Sequence, residues 1–296
     1  MAEVMRASDY DEYTTGLCER AQLILLACAG PWNERIFLVG GLVPRYLIKD
    51  LPQYAPPHVG TTDVDLVVGI AVASDQAEPY DTLLKNIKAA GFRLFEDADG
   101  ETCSFRWCVD VDGKPVVVEF LTEKGVEPGS IVRPREHTGA KLGAFETRGA
   151  NLAARDYIEC EISGRLPDGN ETFATIRVAN LVPFITLKTL AMHDRGLKKP
   201  KDAYDIVFVL KNWPGGPAAA AREALGSPVN DEELVAESLD LLARHFEHSG
   251  MDGPGNYSKF LLDDEDDEED EEARLRNEAV AVVAEFIAAL GRSSSP

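Results

Sequence analysis

Residues 60–68 read GTTDVDLVV, preceded by a loop, 49–61, that holds Pro52, Pro56, Pro57 and Gly60. The β-branched residues and the alternation predict a strand over 62–68, with Asp63, Asp65 and Val67 on one face and Val64, Leu66 and Val68 on the other. Two carboxylates at i and i+2 project from the same face a few ångströms apart. They repel one another unless a cation lies between them. Mg²⁺ takes one or two carboxylates together with substrate phosphates, which is what this pair offers.

Upstream, 35–39 (RIFLV) is a short apolar run that predicts a buried strand, followed by Gly40-Gly41 and the opening of a helix at 43–48. A strand-to-helix turn without Cβ atoms lets backbone N–H groups and a helix N-terminus approach a triphosphate closely. Downstream, 104–111 and 114–122 read as strands joined by Asp112-Gly113, a two-residue hairpin signal. The second strand contains PVVVEFLT, so Glu119 sits among β-branched residues, where an unpaired acid is costly. A third carboxylate facing the first two would complete a two-metal clamp or accept a proton from an attacking hydroxyl. A glycine pair, a DxD and a strand-borne glutamate are each commonplace. Their order on three successive strands is what carries information.

The rest of the chain supplies the frame. Helices are expected over 8–29, with Ser8 as N-cap, and over 79–90, closed by Gly91. A short strand is expected at 92–95 and a second hairpin over 155–161 and 172–178, while 123–150 reads as loop. From Pro183 the pattern turns helical, over 183–195, 201–213, 231–248 and 272–290. The expected fold class is α/β (α+β): an N-terminal mixed sheet with flanking helices over residues 1–180, then a helical domain over 181–296.

The 296 residues carry 30 Lys+Arg against 51 Asp+Glu, a formal net charge of −21. Ten of those acids are consecutive, 263–272 (DDEDDEEDEE), a block read as a solvated, flexible segment that leaves −11 on the remainder. Against that background Arg195, Lys198, Lys199 and Lys201 concentrate positive charge at one helix–turn–helix corner, which suits a triphosphate or an RNA backbone. Lys188 and Arg195 fall at i and i+7 and can share a helix face. The five cysteines are scattered and form no zinc spacing, so reduced thiols in a cytoplasmic protein are expected. No apolar run is long enough to span a membrane, and acids rather than an apolar segment follow the first residues, so no secretion is expected. GxSxG, HExxH and Walker A patterns are absent.

VGGLVPRYLI, GTTDVDLVV and VVVEFLT together resemble the DNA-polymerase-β-type nucleotidyltransferase superfamily, over about 36–122. The resemblance implies that Gly40 and Gly41 contact nucleotide phosphates, that Asp63 and Asp65 bind Mg²⁺ or Mn²⁺, and that Glu119 is the third acid. Thr62, beside the first acid, joins the nucleotide-contacting set. The long spacing from Gly41 to Asp63, and Glu rather than Asp at the third position, depart from the common pattern. A second stretch, LVPFITLKTLAMHDRGLKKPKDAYDIVFVL (181–210), is similar to the C-terminal signature of the AbiEii-type nucleotidyltransferase toxins of abortive-infection systems. The matching positions are Lys188, Lys201, Asp202 and Asp205, with Arg195 in the basic turn. This resemblance implies transfer of NMP from an NTP to an acceptor hydroxyl, tRNA or another RNA as acceptor, and a cognate antitoxin. Lys188 would neutralise developing charge. Two other readings remain: an antibiotic-type transferase with a cationic small-molecule acceptor, and a non-catalytic nucleotide-binding interaction protein. Trp107 and Phe105 read as sheet packing, His58 as an exposed loop residue, and His137, between Arg135 and Lys141, as a possible phosphate contact.

Overall fold

The computed structural model describes residues 5–68, 77–123, 129–132, 142–262 and 269–291. Contacts divide the chain into two units, each compact in itself. One comprises Glu12–Val43 and Thr61–Ala179 and holds the sheet. The other comprises Asn180–Pro296 together with Met1–Asp11 and Pro44–Gly60 and is helical. The fold is of the mixed α+β class expected.

In the sheet unit, α1 (Glu12–Ala29) precedes β1 (Ile36–Val39), whose four residues are all buried. A 3₁₀ turn over Gly40–Leu42 leads out at Val43 into α2 (Val43–Leu47), which from Pro44 on belongs with the proline-rich loop to the helical unit, and the sheet unit resumes with β2 (Asp63–Val68). Then come α3 (Ala77–Ala89), β3 (Arg93–Glu96), β4 (Thr102–Val111), β5 (Lys114–Thr122), β6 (Ile131–Val132), β7 (Ala144–Glu146), β8 (Tyr157–Arg165) and β9 (Glu171–Ala179). The strand order is β3-β4-β5-β2-β1-β9-β8, with β7 alongside the end of β5 and β6 alongside β7. Pairing is mixed: β2 runs parallel to β5 and β1 to β9, whereas β1/β2, β4/β5 and β8/β9 are antiparallel. At the β4–β5 turn Asp112 and Gly113 have φ of 51° and 77°, the left-handed pair a type I′ hairpin requires. Trp107 and Phe105 are buried, as sheet packing demands.

The second hairpin is longer than its alternation indicated, because its exposed ends carry polar residues that pair as well as apolar ones do. The 123–150 stretch contributes β6 and β7, too short to show a period and held only by their pairing with β5 and each other.

The helical unit contains α4 (Leu181–Arg195), α5 (Lys201–Asn212), α6 (Gly216–Leu225), α7 (Glu233–His245), α8 (Asp252–Leu261) and α9 (Glu269–Ala289). Asn180 caps α4, its side-chain oxygen accepting from the Leu181 N–H at 2.8 Å. Two helices were not expected. α6 opens on Gly216-Pro217, a breaker in a sequence scan but a competent first turn, and then runs through four alanines. α8 carries Gly253, Pro254 and Gly255 near its start. A Cβ at Gly253 would lie 2.6 Å from the Phe246 ring and 2.7 Å from the His245 carbonyl, so glycine is what allows α8 to close on the end of α7. The acidic run divides: 263–268 lie outside the described residues, while Glu269, Asp270, Glu271 and Glu272 form the first turn of α9. There the helix's positive end favours carboxylates. Among the described residues no helix is long and apolar enough to cross a membrane.

Candidate active site

Asp63 and Asp65 occupy β2 as the alternation required: both are half-buried while Val64 and Leu66 between and beyond them are fully buried. The parallel pairing with β5 sets Asp63 opposite Val117 and Asp65 opposite Glu119. Residues directly opposite in a ladder share a face, so Glu119 is the strand neighbour of Asp65. Glu119 is also opposite Arg106 on β4, whose Nε donates to Glu119 Oε1 at 2.7 Å. The third acid is thus balanced by an arginine of the same sheet face.

On the other side of β2, Val39 of β1 pairs with Asp65, and Gly40 follows. Gly40 has φ +73°, and a Cβ built on it would stand 2.8 Å from Asp65 Cβ and Cγ and closer still to Oδ2. The first glycine of the pair is therefore fixed twice, by its backbone and by the carboxylate it cradles. Gly41 is buried in the same turn and Thr62 is exposed at the start of β2.

Asp63 is held from behind. Thr61 Oγ1 donates to Asp63 Oδ1 at 3.0 Å. The Thr61 N–H donates to Thr15 Oγ1 at 3.2 Å, and Thr15 Oγ1 in turn lies 3.4 Å from the Thr61 carbonyl. Cys18, one turn along α1, is buried against the same carbonyl at 3.7 Å. Burial, reinforced by Asp63, Glu19 and Asp65, pushes its thiol up to about 12. Five cysteines are free thiols, as their spacing indicated.

The helical unit gathers the second set. Lys188 Nζ on α4 lies 2.8 Å from Asp202 Oδ1 and 2.7 Å from Asp205 Oδ2, both on α5. Lys201 Nζ reaches Asp205 at 2.8 Å across one helical turn. His58 Nε2 meets Asp205 Oδ1 at 2.8 Å. The Gly60 N–H donates to His58 Nδ1 at 3.1 Å, which fixes the tautomer with the proton on Nε2, facing Asp205. The Phe208 ring meets the imidazole edge-on at 4.9 Å. Burial drives the His58 pKa down to about 4, against the opposing hydrogen bond that Nε2–H donates to Asp205, so the ring is neutral. Burial alone would raise Asp205, but Lys188 and Lys201 outweigh it and hold that carboxyl well below the usual range. Burial likewise disfavours the Lys188 ammonium, and Asp202 and Asp205 overcome it and raise its pKa. For Lys201 burial prevails over Asp205 and the pKa falls.

Two lysines and two aspartates thus form a closed, buried, neutral cluster. Arg195 stands at its rim, half exposed, 3.6 Å from Asp202 Oδ2, an oxygen that is buried without a hydrogen bond. The basic corner expected from sequence is accordingly smaller: Lys201 is committed to Asp205, while Arg195, Lys198 and Lys199 remain exposed. His58 is a correction, being 5% exposed rather than a solvated loop residue. Its signal was the uncharged Val59-Gly60-Thr61 beside it, which a scan for loops discards. Arg106 was missed because its partner sits on the neighbouring strand, invisible to linear spacing. His137 with Arg135 and Lys141 lies outside the described residues.

Among the described residues no three His, Cys, Asp or Glu side chains are gathered tightly enough to hold a metal ion on their own. Asp63 and Asp65 supply the two-carboxylate set that Mg²⁺ uses when substrate phosphates complete its shell, and Gly40 leaves the room that the Asp65 carboxylate itself occupies.

No curated protein and no solved structure matches the chain. A family model does: that of the nucleotidyl transferase AbiEii toxin of type IV toxin–antitoxin systems matches residues 144–285. The match takes in α4 and α5 with Lys188, Asp202 and Asp205, and ends within α9; the Gly40 turn and the Asp63–Asp65 strand precede it. Over residues 144–285, just under half of its length, the chain is thus similar to the AbiEii nucleotidyl transferase toxins.

Proposed function

We propose that this enzyme transfers NMP from an NTP to an acceptor hydroxyl with Mg²⁺ or Mn²⁺ bound by Asp63 and Asp65. The acceptor oxygen attacks the α-phosphorus, the bond from that phosphorus to the bridging oxygen breaks, and pyrophosphate leaves. The single observation that carries this reading is the close packing of the Asp65 carboxylate on Gly40, which puts the first acid pair directly against the glycine turn and would be displaced by any Cβ there.

The divalent ion, when bound, neutralises triphosphate charge and polarises the reacting phosphorus. The chain's own residues do the rest. Gly40 and Gly41 present backbone to the phosphates, and Thr62 is exposed beside them. Thr61 fixes the Asp63 rotamer. Glu119, balanced by Arg106, serves as the third acid, orienting the ion or taking the proton of the acceptor hydroxyl. In the helical unit Lys188 is committed to Asp202 and Asp205 and holds that cluster together. Arg195 and Lys201 complete this set with Asp205.

RNA, tRNA first, is the favoured acceptor, because Arg195, Lys198 and Lys199 remain exposed on an otherwise acidic chain. A cognate antitoxin and a cytoplasmic setting accompany this reading. The net charge of −21 favours a cationic small-molecule acceptor as the second reading. Incubation with each labelled NTP, Mg²⁺ and either total RNA or a panel of aminoglycosides separates the two. Label recovered in RNA supports the first, label on the small molecule the second, and binding of NTP without any transfer overturns both.

A further inference from the structure

Outside these residues, α4 and α7 are joined at two points. Ser238 Oγ donates to Thr186 Oγ1 at 3.2 Å in the buried interface. Seven residues further along both helices, His193 Nδ1 and His245 Nε2 face each other at 3.0 Å. Equal steps on both helices mean that α4 and α7 run in the same direction, in register, for about two turns. Their C-terminal ends therefore finish together, with both histidines in the last turns. Each helix end carries about half a negative charge on its unpaired carbonyls. Two such ends side by side favour a cation more than either does alone.

The rings meet edge to face, 5.3 Å between centroids and 62° between planes. Two imidazole nitrogens bound to one Zn²⁺ at about 2.0–2.1 Å stand roughly 3.3 Å apart, so the observed separation needs only a few tenths of an ångström of opening. His193 is exposed and His245 half-buried, so an ion in solution can reach the pair. A hydrogen bond between two such rings is worth only about 1 kcal/mol against water and does not by itself explain the pairing.

We propose that His193 and His245 form a two-imidazole site for a borderline divalent transition metal, Zn²⁺ or Ni²⁺, that fastens the C-terminal ends of α4 and α7. Nitrogen ligands select these ions over Mg²⁺, which takes oxygen. The ring that now donates its proton moves it to its remote nitrogen, so both rings bind as neutral imidazoles and no net proton is lost. With no third His, Cys, Asp or Glu grouped with them among the described residues, water or an external donor fills the remaining positions. The site is independent of the Asp63–Asp65 reading.

The test is calorimetric titration of the full, untagged chain with Ni²⁺ and with Zn²⁺ under excess Mg²⁺, which occupies carboxylate sites. One equivalent is expected to bind, weakened about tenfold or more by His193→Gln and by His245→Gln, whose amides still reach across the gap. Long-range ¹H–¹⁵N spectra of the wild-type histidine rings provide a readout independent of the variants' folding. Nitrogen shifts are expected at these two rings. Absence of binding, binding in both variants as tight as in the wild type, or ring shifts confined to other histidines overturns the proposal.

Discussion

Gly40 and Asp65 are neighbours through space, and the glycine leaves no room for a side chain: a Cβ would come within 2.8 Å of the Asp65 Cβ and Cγ. Gly40→Ala must therefore displace the Asp65 carboxylate and also strain a backbone held at φ +73°. Transfer activity is expected to fall by about 10²-fold or more, since misplacement of about 1 Å costs that much. The chain should lose only about 1–3 kcal/mol of stability. Steady-state kinetics with a denaturation curve checks the pairing of a large activity loss with a modest stability loss; full activity in the variant contradicts the close approach.

Asp205 is the hub of the buried cluster, meeting Lys188, Lys201 and His58 at 2.7–2.8 Å. Removing it strands the buried Lys201 ammonium and leaves Lys188 with Asp202 alone. Asp205→Ala is expected to cost about 3–5 kcal/mol in urea unfolding. Arg195→Ala, at the half-exposed rim, should cost no more than about 1 kcal/mol. Equal costs would mean that the cluster is solvated.

Acid should destabilise the helical unit in two stages. His58 is neutral when folded down to about pH 4, whereas the unfolded ring takes a proton near its ordinary 6.5. The unfolded state thus binds more protons between these values, and stability falls as pH falls. The contribution is complete above 6.5, is lost progressively toward pH 4 and levels off below it. It amounts to roughly 3 kcal/mol. Asp205, held below the usual carboxylate range, adds a further loss at lower pH in the same direction. Urea midpoints from pH 7.5 to 4 check this, and His58→Gln should flatten the limb between 6.5 and 4. A midpoint that rises on acidification contradicts the neutral, buried ring.

Cys18 lies behind the strand acids and its thiol is pushed up to about 12 by burial and by Asp63, Glu19 and Asp65. It is expected to resist iodoacetamide in the native protein at pH 8 and to react on unfolding, because the thiolate is the reactive form. Peptide mapping after alkylation decides. Ready native labelling of Cys18 would mean that α1 does not pack on the loop into β2 as described.

Much of the sheet site was legible in the chain because its signals are local. The i, i+2 carboxylates, the glycine pair at a strand exit and the Asp112-Gly113 hairpin each show within a few residues, and the hairpin fixes β4 against β5. The parallel register that sets Glu119 beside Asp65 is not local, so the sequence could place Glu119 on a strand but not next to a particular acid. His58 was misread for the same reason: its partner is 147 residues away. Lys188 and Lys201 were read as free cations because charge was read without commitment. Lys201 and Asp205 are an i, i+4 pair within α5 whose spacing is visible in the chain, whereas only the approach of α4 to α5 reveals that Asp202 and Asp205 absorb Lys188. α6 and α8 escaped because glycine and proline at a helix start look like breaks when the packing that tolerates them is unseen.

The central claim is that Asp63 and Asp65 support transfer of the α-phosphorus of an NTP. The most direct measurement supplies the purified chain with Mg²⁺, RNA and an NTP carrying radioactive phosphorus at either the α or the γ position. The account predicts that α-label enters the acceptor, that γ-label appears only in pyrophosphate, and that Asp63→Asn and Asp65→Asn each abolish both signals while leaving the fold intact by circular dichroism. Label from the γ position on the acceptor, or undiminished α-transfer in either variant, would contradict it.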